Sequence, residues 1–404
     1  MNISQVWERI IKIEGGTIVY VIMDGLGGLP DSAKGGTELQ VAQTPNLDRI
    51  ARTSACGLLE MVGPGITPGS GPGHLALFGY DPLKYEVGRG VLSALGVDFE
   101  LEVGDMAARI NFATVDKDGK VVDRRAGRID TDTNRRLCKK IRENINLRFD
   151  GQFFIETVSE HRGLLVLRGP NLVGNLRDTD PQRTGVFPME PEAMTEGSEM
   201  TARVVRSFIH QAQEILSNEK NANMVLLRGF GNYEPLPSLE KRFALRGICI
   251  AEYPMYRGIS RLLGMEVAPP PGSMKASFEN LMTLYGNDYD FYFLHIKKTD
   301  SSGEDSDFDE KVKIIEKVDR LIPTVANLEP DVLVVTADHS TPALMGTHSW
   351  HSVPVMIRSK LARVDPVDTF DESACISGSL GMRPGVHLMG LALAHAGRLK
   401  KYCG

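Results

Sequence analysis

Acidic and histidine side chains follow the ends of several apolar segments, and one serine lies in a loop dense in glycine and proline. The acidic and imidazole side chains are Asp24, Asp300, Glu304, Asp338, His339 and His348, and the serine is Ser70 within residues 64–74. Carboxylates and imidazoles together bind divalent metals such as Mn, Zn or Mg, and this set is large enough for two ions. Two such ions stabilise both the attacking and the leaving oxygen in phosphoryl transfer and activate a serine as nucleophile.

Ser70 is expected just before the N-terminus of a short helix, which the loop 64–74 leads into and the apolar run 75–78 follows. The unpaired N–H groups and the dipole of a helix N-terminus favour an anion there. A serine in a Gly/Pro loop is more often a turn residue. The interpretation as a nucleophile therefore rests on the number of metal-ligand types found elsewhere in the chain.

Three apolar runs predict buried strands that end at these polar residues. Residues 17–23 lead into Asp24, residues 290–296 lead into Lys297 and Asp300, and residues 331–337 lead into Asp338 and His339. A helix over about 308–328 separates the last two runs, with Ile315, Val318, Ile322 and Val325 on one face. This order is typical of a parallel α/β unit, in which ligands bind at the carboxyl ends of the strands.

The remaining chain predicts a smaller domain inserted into the first. From about residue 98 to 181 short apolar runs alternate with charged segments, which favours an α+β insertion over 104–182 between two parts of one α/β domain, 1–103 and 183–404. An amphipathic helix over 199–217 and strands at 223–227 and 247–251 are expected to return the chain to the main sheet. A helix is also expected from Pro45, with Thr44 as its N-cap.

The composition limits the partners and the compartment. The chain has 404 residues and a net charge of -6, so no basic face suggests nucleic acid or an anionic membrane. The five cysteines are widely separated and form no C-x-x-C pair, which favours a reducing cytoplasm. The first 16 residues lack the apolar core of a signal peptide, and no run is long enough to span a bilayer. A homo-oligomer is left open.

Several segments together resemble one known family. They include 23–26 (MDGL), 44–48 (TPNLD), 68–70 (PGS) with 74–76 (HLA), 79–82 (GYDP), 123–128 (DRRAGR), 295–300 (HIKKTD) and 337–342 (ADHSTP), followed by His348. Their order along the chain is similar to that of the archaeal-type cofactor-independent phosphoglycerate mutases, a branch of the alkaline phosphatase superfamily. The resemblance implies an alkaline-phosphatase-like parallel-sheet core with helices on both faces and a smaller inserted α+β domain that closes over the core.

The resemblance also implies roles for individual residues. Ser70 would be phosphorylated, Lys297 would lie by the transferred phosphate, one metal would be held by Asp24, Ser70, Asp338 and His339, and a second by Asp300, Glu304 and His348. Substrate would be bound by arginines and one histidine of the inserted domain. The first-ranked candidates are Arg124, Arg125 and Arg128, because guanidinium groups bind phosphate and carboxylate bidentately, and the second-ranked are Arg109, His161 and Arg162.

The implied activity is the interconversion of 3-phosphoglycerate and 2-phosphoglycerate in glycolysis and gluconeogenesis, without 2,3-bisphosphoglycerate or a nucleotide. Mn is the favoured metal, with Mg, Zn or Co as alternatives, because Glu304 replaces the usual histidine and is a harder ligand. The run 71–73 (GPG) also departs from a more polar family pattern. Three other activities stay open as alternatives: another phosphotransferase, a phosphatase or a homoserine kinase, although a P-loop motif is absent. A non-catalytic binding relative also stays open.

Overall fold

The computed structural model describes residues 3–403 and divides the chain between two units. One, here the discontinuous unit, is built from Met1–Glu86 and Pro237–Gly404. The other, here the inserted unit, is Val87–Leu236.

The elements follow in chain order. The first segment of the discontinuous unit contains α1 (Ile3–Ile10), β1 (Ile18–Met23), α2 (Glu38–Val41), α3 (Pro45–Ala51), β2 (Ala55–Glu60) and α4 (Ser70–Leu77). The inserted unit contains α5 (Arg89–Gly96), β3 (Met106–Val115), β4 (Val121–Asp123), α6 (Thr131–Asn144), β5 (Gln152–Ser159), β6 (Arg162–Arg168), α7 (Glu199–Leu216) and β7 (Met224–Asn232). The second segment of the discontinuous unit contains α8 (Leu239–Phe243), β8 (Gly247–Ile250), α9 (Pro254–Leu262), β9 (Glu266–Val267), α10 (Met274–Leu284), β10 (Phe291–Ile296), α11 (Lys298–Glu304), α12 (Phe308–Ala326), β11 (Val332–Thr336), β12 (Val353–Ser359), α13 (Glu372–Cys375), β13 (Gly381–Pro384) and α14 (Leu388–His395).

A mostly parallel sheet forms the core of the discontinuous unit. Its strand order among the described residues is β13-β2-β12-β11-β1-β10-β8-β9, and only β12 runs antiparallel to its neighbours β11 and β2. All six residues of β1 are buried, as expected for a strand covered on both faces. The predicted parallel α/β unit is confirmed, because β1 pairs in parallel with both β10 and β11, and α12 joins the latter two.

Local signals predicted several elements of this unit correctly. Helix α3 begins at Pro45 directly after Thr44, although the Thr44 side chain makes no capping hydrogen bond. The apolar positions 315, 318, 322 and 325 of α12 are all fully buried.

Within the described residues, no helix is both long and apolar enough to cross a membrane.

The inserted unit is an antiparallel sheet with helices on it. Strand β3 is its centre and pairs with β4, β6 and β7. Alternate residues of β3, among them Ile110 and Phe112, share one apolar core with Leu137 of α6 and with Val205 and Phe208 of α7. Strand β7 therefore belongs to this sheet, and helix α7 packs in the core that the sheet shares.

The expectation that residues 199–217 and 223–227 return to the main sheet is wrong. Their helical and apolar patterns are as expected, but β7 pairs with β3 over residues 106–113. The inserted unit consequently extends from Val87 to Leu236 rather than over 104–182. Such a pairing joins strands more than a hundred residues apart, and apolar patterning does not specify which sheet a strand enters.

The packing of α7 yields a prediction about stability. Replacing Phe208 with alanine should lower the free energy of unfolding of the inserted unit by about 3–5 kcal/mol, because a fully buried phenyl ring leaves a cavity. Hydrogen exchange of the β3 amides, followed by mass spectrometry, measures this loss. His210→Ala, at an exposed position of the same helix, is the control. The free energy of unfolding derived from exchange in this variant should stay within about 0.5 kcal/mol of the original value. Equal protection of β3 in both variants would contradict the assignment of α7 to this core.

Candidate active site

The carboxyl ends of three neighbouring strands bring the predicted metal-ligand residues together. Asp24 follows β1, Lys297 and Asp300 follow β10, and Asp338 and His339 follow β11. Because β1 lies between β10 and β11 in parallel register, these ends meet at one edge of the sheet. Asp24, Asp300, Asp338 and His339 are all fully buried there.

Ser70 lies at the same edge as the first residue of helix α4, one position further into the helix than predicted. Its side chain is buried, and its Oγ is 3.2 Å from Nε2 of His339. The loop and the strand edge approach closely because residue 73 is glycine. A Cβ atom at Gly73 would lie 2.3 Å from the carbonyl oxygen of Asp338. The glycine-rich run after Ser70 thus allows α4 to pack directly against a ligand-bearing loop.

The first candidate metal group consists of Asp24, Asp338 and His339. Nε2 of His339 is 3.3 Å from Oδ1 of Asp24 and 3.2 Å from Oδ2 of Asp338. Both carboxylate oxygens of Asp24, and Oδ2 of Asp338, are buried without a hydrogen-bond partner. Ligands that bind one ion at about 2.0–2.2 Å lie about 3.0–3.5 Å from each other. The donor types, their spacing and the unpaired buried oxygens therefore fit a divalent cation.

The second candidate group consists of Asp300, His339 and His348. Nε2 of His348 is 3.4 Å from Oδ1 of Asp300, and the rings of His339 and His348 stack with centroids 3.7 Å apart. Nδ1 of His348 donates to the Pro68 carbonyl at 3.0 Å, which directs Nε2 toward Asp300. Burial lowers the pKa of His348, but Asp300 and the Pro68 carbonyl more than offset this and raise it to about 9.

Glu304, the predicted third ligand of the second ion, lies at the margin of this group. Its Oε1 is 3.8 Å from Nε2 of His348, and its side chain is 47% exposed. It is the last residue of α11, one helical turn beyond Asp300. The structure thus brings Asp300 and His348 together, with Glu304 near them at the surface.

Lys297 lies between the two groups. Its ammonium forms an ion pair with Asp300 and is 3.3 Å from Oδ2 of Asp24. Burial lowers the pKa of Lys297, but the carboxylates of Asp24 and Asp300 raise it well above its usual value. The same cation, together with His295 and His339, holds the pKa of Asp24 well below its usual value against the opposing effect of burial. Both side chains are therefore charged at neutral pH.

Two buried histidines with no assigned role in the sequence analysis contact residues of the candidate site. Nδ1 of His74 is 2.8 Å from the Ser70 carbonyl and 3.2 Å from Oδ2 of Asp338. Nε2 of His295 is 3.1 Å from Oδ2 of Asp24, and its ring stacks on Tyr256 at 3.6 Å. The available signal was a histidine within an otherwise apolar strand, at position 295 of β10.

A group of arginines surrounds His161 in the inserted unit. Burial and the nearby cations of Arg162, Arg125, Arg109 and Arg128 lower the pKa of His161 to about 3. His161 itself is buried, whereas Arg125 and Arg128 are exposed. Five of the six predicted substrate-binding residues thus lie in one positively charged cluster, here called the arginine cluster.

Arg124, the sixth, has a different environment. Its guanidinium donates to both carboxylate oxygens of Asp180, at 2.7 and 2.8 Å. Sequence reasoning missed Arg228, which lies opposite Arg109 in the register of β3 and β7 and is 3.5 Å from Oδ2 of Asp180. Burial and the cation of Arg89 lower the pKa of Arg228. An arginine directly after the apolar run 224–227 was the signal that could have indicated it.

A mostly parallel sheet with a buried serine among carboxylates and imidazoles at its carboxyl edge defines an α/β fold with a candidate active site at the ends of its strands. Residues 51–221 match the family model described as 2,3-bisphosphoglycerate-independent phosphoglycerate mutase. A probable 2,3-bisphosphoglycerate-independent phosphoglycerate mutase from Thermus thermophilus is 47% identical over 404 residues, covering 100% of both chains. The chain belongs to this family of isomerases, and the predicted family and fold class are confirmed.

Solved structures agree with this assignment. A cofactor-independent phosphoglycerate mutase from Thermoplasma acidophilum is 29% identical with a TM-score of 0.67, covering 94% of this chain and 100% of that one. A protein from Pyrococcus horikoshii is 27% identical with a TM-score of 0.82, covering 96% of this chain and 100% of that one.

The environment of His161 predicts how the inserted unit responds to acid. An unfolded histidine binds its proton near about pH 6.5, whereas the folded His161 has its pKa lowered to about 3. Between these values the unfolded chain holds the additional proton, so the contribution of His161 to stability is complete above pH 6.5 and falls as the pH is lowered toward 3. Urea unfolding across this range should show a shallower loss for His161→Gln than for the original chain. An identical pH dependence would contradict the buried, neutral state of this ring.

Proposed function

We propose that this chain interconverts 3-phosphoglycerate and 2-phosphoglycerate through a phosphoserine at Ser70 and with two divalent metal ions, in glycolysis and gluconeogenesis. The observation that carries the proposal is the position of the Ser70 hydroxyl, 3.2 Å from His339 in the first candidate metal group. The family supports the substrate and the absence of a 2,3-bisphosphoglycerate requirement.

The residues of both groups fit the ions that the proposal requires. Asp24, Ser70, Asp338 and His339 would hold one, while Asp300, His348 and Glu304 would hold the other. Bound there, the ions supply positive charge to the serine oxygen and to the phosphoryl oxygens. Mn²⁺ is the favoured ion, because carboxylates outnumber imidazoles in the combined set and one of them is Glu304.

The serine carries the phosphoryl group between two oxygens of the same substrate. In the first half-reaction the Ser70 Oγ–P bond forms as the bond between phosphorus and the 3-oxygen breaks. The serine loses a proton and the 3-oxygen gains one. In the second half-reaction the bond between the 2-oxygen and phosphorus forms as the Oγ–P bond breaks, the 2-hydroxyl loses a proton and the serine regains one.

Cationic side chains hold the charges that do not react. The ammonium of Lys297 lies between Asp24 and Asp300 and provides a charged donor for a phosphoryl oxygen at this edge. The arginine cluster provides guanidinium donors for the carboxylate and phosphate of phosphoglycerate. A reducing cytoplasm is the proposed compartment, in agreement with four buried cysteine thiols that are all free.

The phosphoserine can be tested directly. Ser70→Ala should reduce turnover of 3-phosphoglycerate by about 10⁴-fold or more, because it removes the only proposed carrier of the phosphoryl group. Brief incubation with substrate labelled in the phosphate, followed by acid quench and peptide mapping, should place the label on Ser70. Ser93→Ala, which removes a buried hydroxyl from a helix of the inserted unit, is the matched control and should keep both activity and label. Retention of most activity by Ser70→Ala would rule the mechanism out.

The metal requirement has its own test, a coupled assay for 2-phosphoglycerate on chelator-treated enzyme without 2,3-bisphosphoglycerate. Activity should be absent after treatment and return with Mn²⁺. Release of inorganic phosphate faster than isomerisation would instead identify a phosphatase. Folded protein that turns over no phosphoglycerate with any divalent metal would exclude the proposed activity.

The arginines should separate into two classes. Arg125→Ala and Arg128→Ala are expected to raise KM for 3-phosphoglycerate by about 10- to 100-fold through loss of a charged hydrogen bond, with little effect on stability. Arg124→Ala should instead lower the free energy of unfolding by about 1–3 kcal/mol, since the fully buried Asp180 loses its bidentate partner and keeps the more distant guanidinium of Arg228 at 3.5 Å. Steady-state kinetics and urea unfolding of the three variants measure both effects. A purely kinetic effect of Arg124→Ala would contradict its structural role.

A further inference from the structure

A buried ion pair lies behind the loops that carry the candidate metal ligands. Lys311 of α12 is fully buried, Glu38 of α2 is 1% exposed, and their Nζ and Oε1 atoms are 3.7 Å apart. Removing a charge from water costs several kcal/mol, so a buried ion pair is weak support for stability by itself. Its hydrogen bonds indicate what else it does.

The Lys311 ammonium bridges two loops. It donates to the carbonyl of Gly27 at 3.2 Å and to the carbonyl of Thr341 at 2.8 Å. Gly27 follows β1 in the loop that begins with Asp24, and Thr341 follows β11 in the loop that begins with Asp338 and His339. One cation therefore fixes the separation of the two loops that supply the first candidate metal group.

Two acidic side chains accept hydrogen bonds from the same two loops. Oε1 of Glu38 accepts from the N–H of Ala343 at 2.7 Å, and Oε1 of Glu372 accepts from the N–H of Gly28 at 2.8 Å. The ammonium thus binds one carbonyl of each loop and the carboxylates bind one N–H group of each loop. A lysine has only donors and an ionised glutamate only acceptors, so each suits the groups that it contacts.

Thr341 connects this pair to the ligands themselves. Its Oγ1 donates to Oδ1 of Asp300 at 2.7 Å and is 3.0 Å from Nδ1 of His339. A hydroxyl has one proton, so Oγ1 accepts from Nδ1–H of His339 when it donates to Asp300. That places the lone pair of His339 on Nε2, the nitrogen that faces Asp24 and Asp338. The threonine thereby orients one ligand of each group.

We propose that Lys311 is a positioning residue for the metal centre, which acts through the carbonyl of Thr341 to hold Asp300 and His339 in the orientation that binds the two ions. This inference rests on the proposed metal requirement. Supporting residues of this kind change metal affinity by about 10- to 100-fold when they are altered.

The test is a calorimetric titration of the metal-free full chain with Mn²⁺ alone. Lys311→Met combined with Glu38→Gln removes both members of the ion pair together, and should weaken Mn²⁺ binding by about 10- to 100-fold. Activity measured against Mn²⁺ concentration should shift by the same factor, with kcat at saturating Mn²⁺ changed less. Lys313→Met, an exposed lysine on the same helix, is the matched control and should bind Mn²⁺ within about twofold of the original chain.

A second variant keeps the test decisive should the double variant fail to fold. Thr341→Val preserves shape but removes the hydroxyl between Asp300 and His339, and should weaken Mn²⁺ binding by about tenfold or more. Folded variants that bind Mn²⁺ as tightly as the original chain, with only a lower melting temperature, would overturn the inference and leave the proposed function intact. An original chain that binds no Mn²⁺ would overturn the inference and the choice of Mn²⁺, whereas the proposed function would be excluded only if no divalent metal supported turnover.

Discussion

Negative charge buried at one sheet edge is the constraint on which the rest of the structure depends. Asp24, Asp300 and Asp338 are each fully buried, and strand pairing brings them to the same edge. Carboxylates in such a place repel one another and lose hydration, so cations must compensate them. Lys297 supplies one positive charge, and oxygens of Asp24 and Asp338 that accept no hydrogen bond are available to further cations. Divalent cations in the two candidate metal groups would compensate the remaining negative charge.

The strand ends of the site could be predicted from sequence because each one has a local signature. An apolar run followed by polar residues indicates a buried strand that stops there, directly at Asp24 and Asp338 and four residues before Asp300, and the parallel strands bring these carboxylates to one edge. Ser70 was harder to assign, since its neighbourhood resembles any Gly/Pro turn, and its role rested on the other residues. The buried His295 was missed because its strand is otherwise apolar and a single histidine there is usually a core residue.

Local sequence patterns could not predict which residues far apart in the chain contact each other. The apolar period of 199–217 predicted a helix correctly, yet the sheet it covers is set by β7 pairing with β3. Arg124 was one of three first-ranked candidates for substrate binding, but its guanidinium donates to Asp180, 56 residues away. Glu304 has the expected spacing from Asp300, and its place at the exposed end of α11 follows from where the helix stops. In each case the sequence indicated the type of element or side chain, but not its surroundings in the fold.

The discontinuous unit also has a consequence for biosynthesis. Strand β1 is entirely apolar and its partners β10 and β11 begin at Phe291 and Val332, far later in the chain. At about 5–20 residues per second, β1 leaves the ribosome roughly 15 to 50 s before its first partner strand is made. During that interval the sheet of the inserted unit, whose strands all lie between Met106 and Asn232, has all its residues available to fold. The nascent chain therefore carries an unpaired apolar strand throughout this interval, a state in which chaperone binding or premature strand pairing competes with correct assembly.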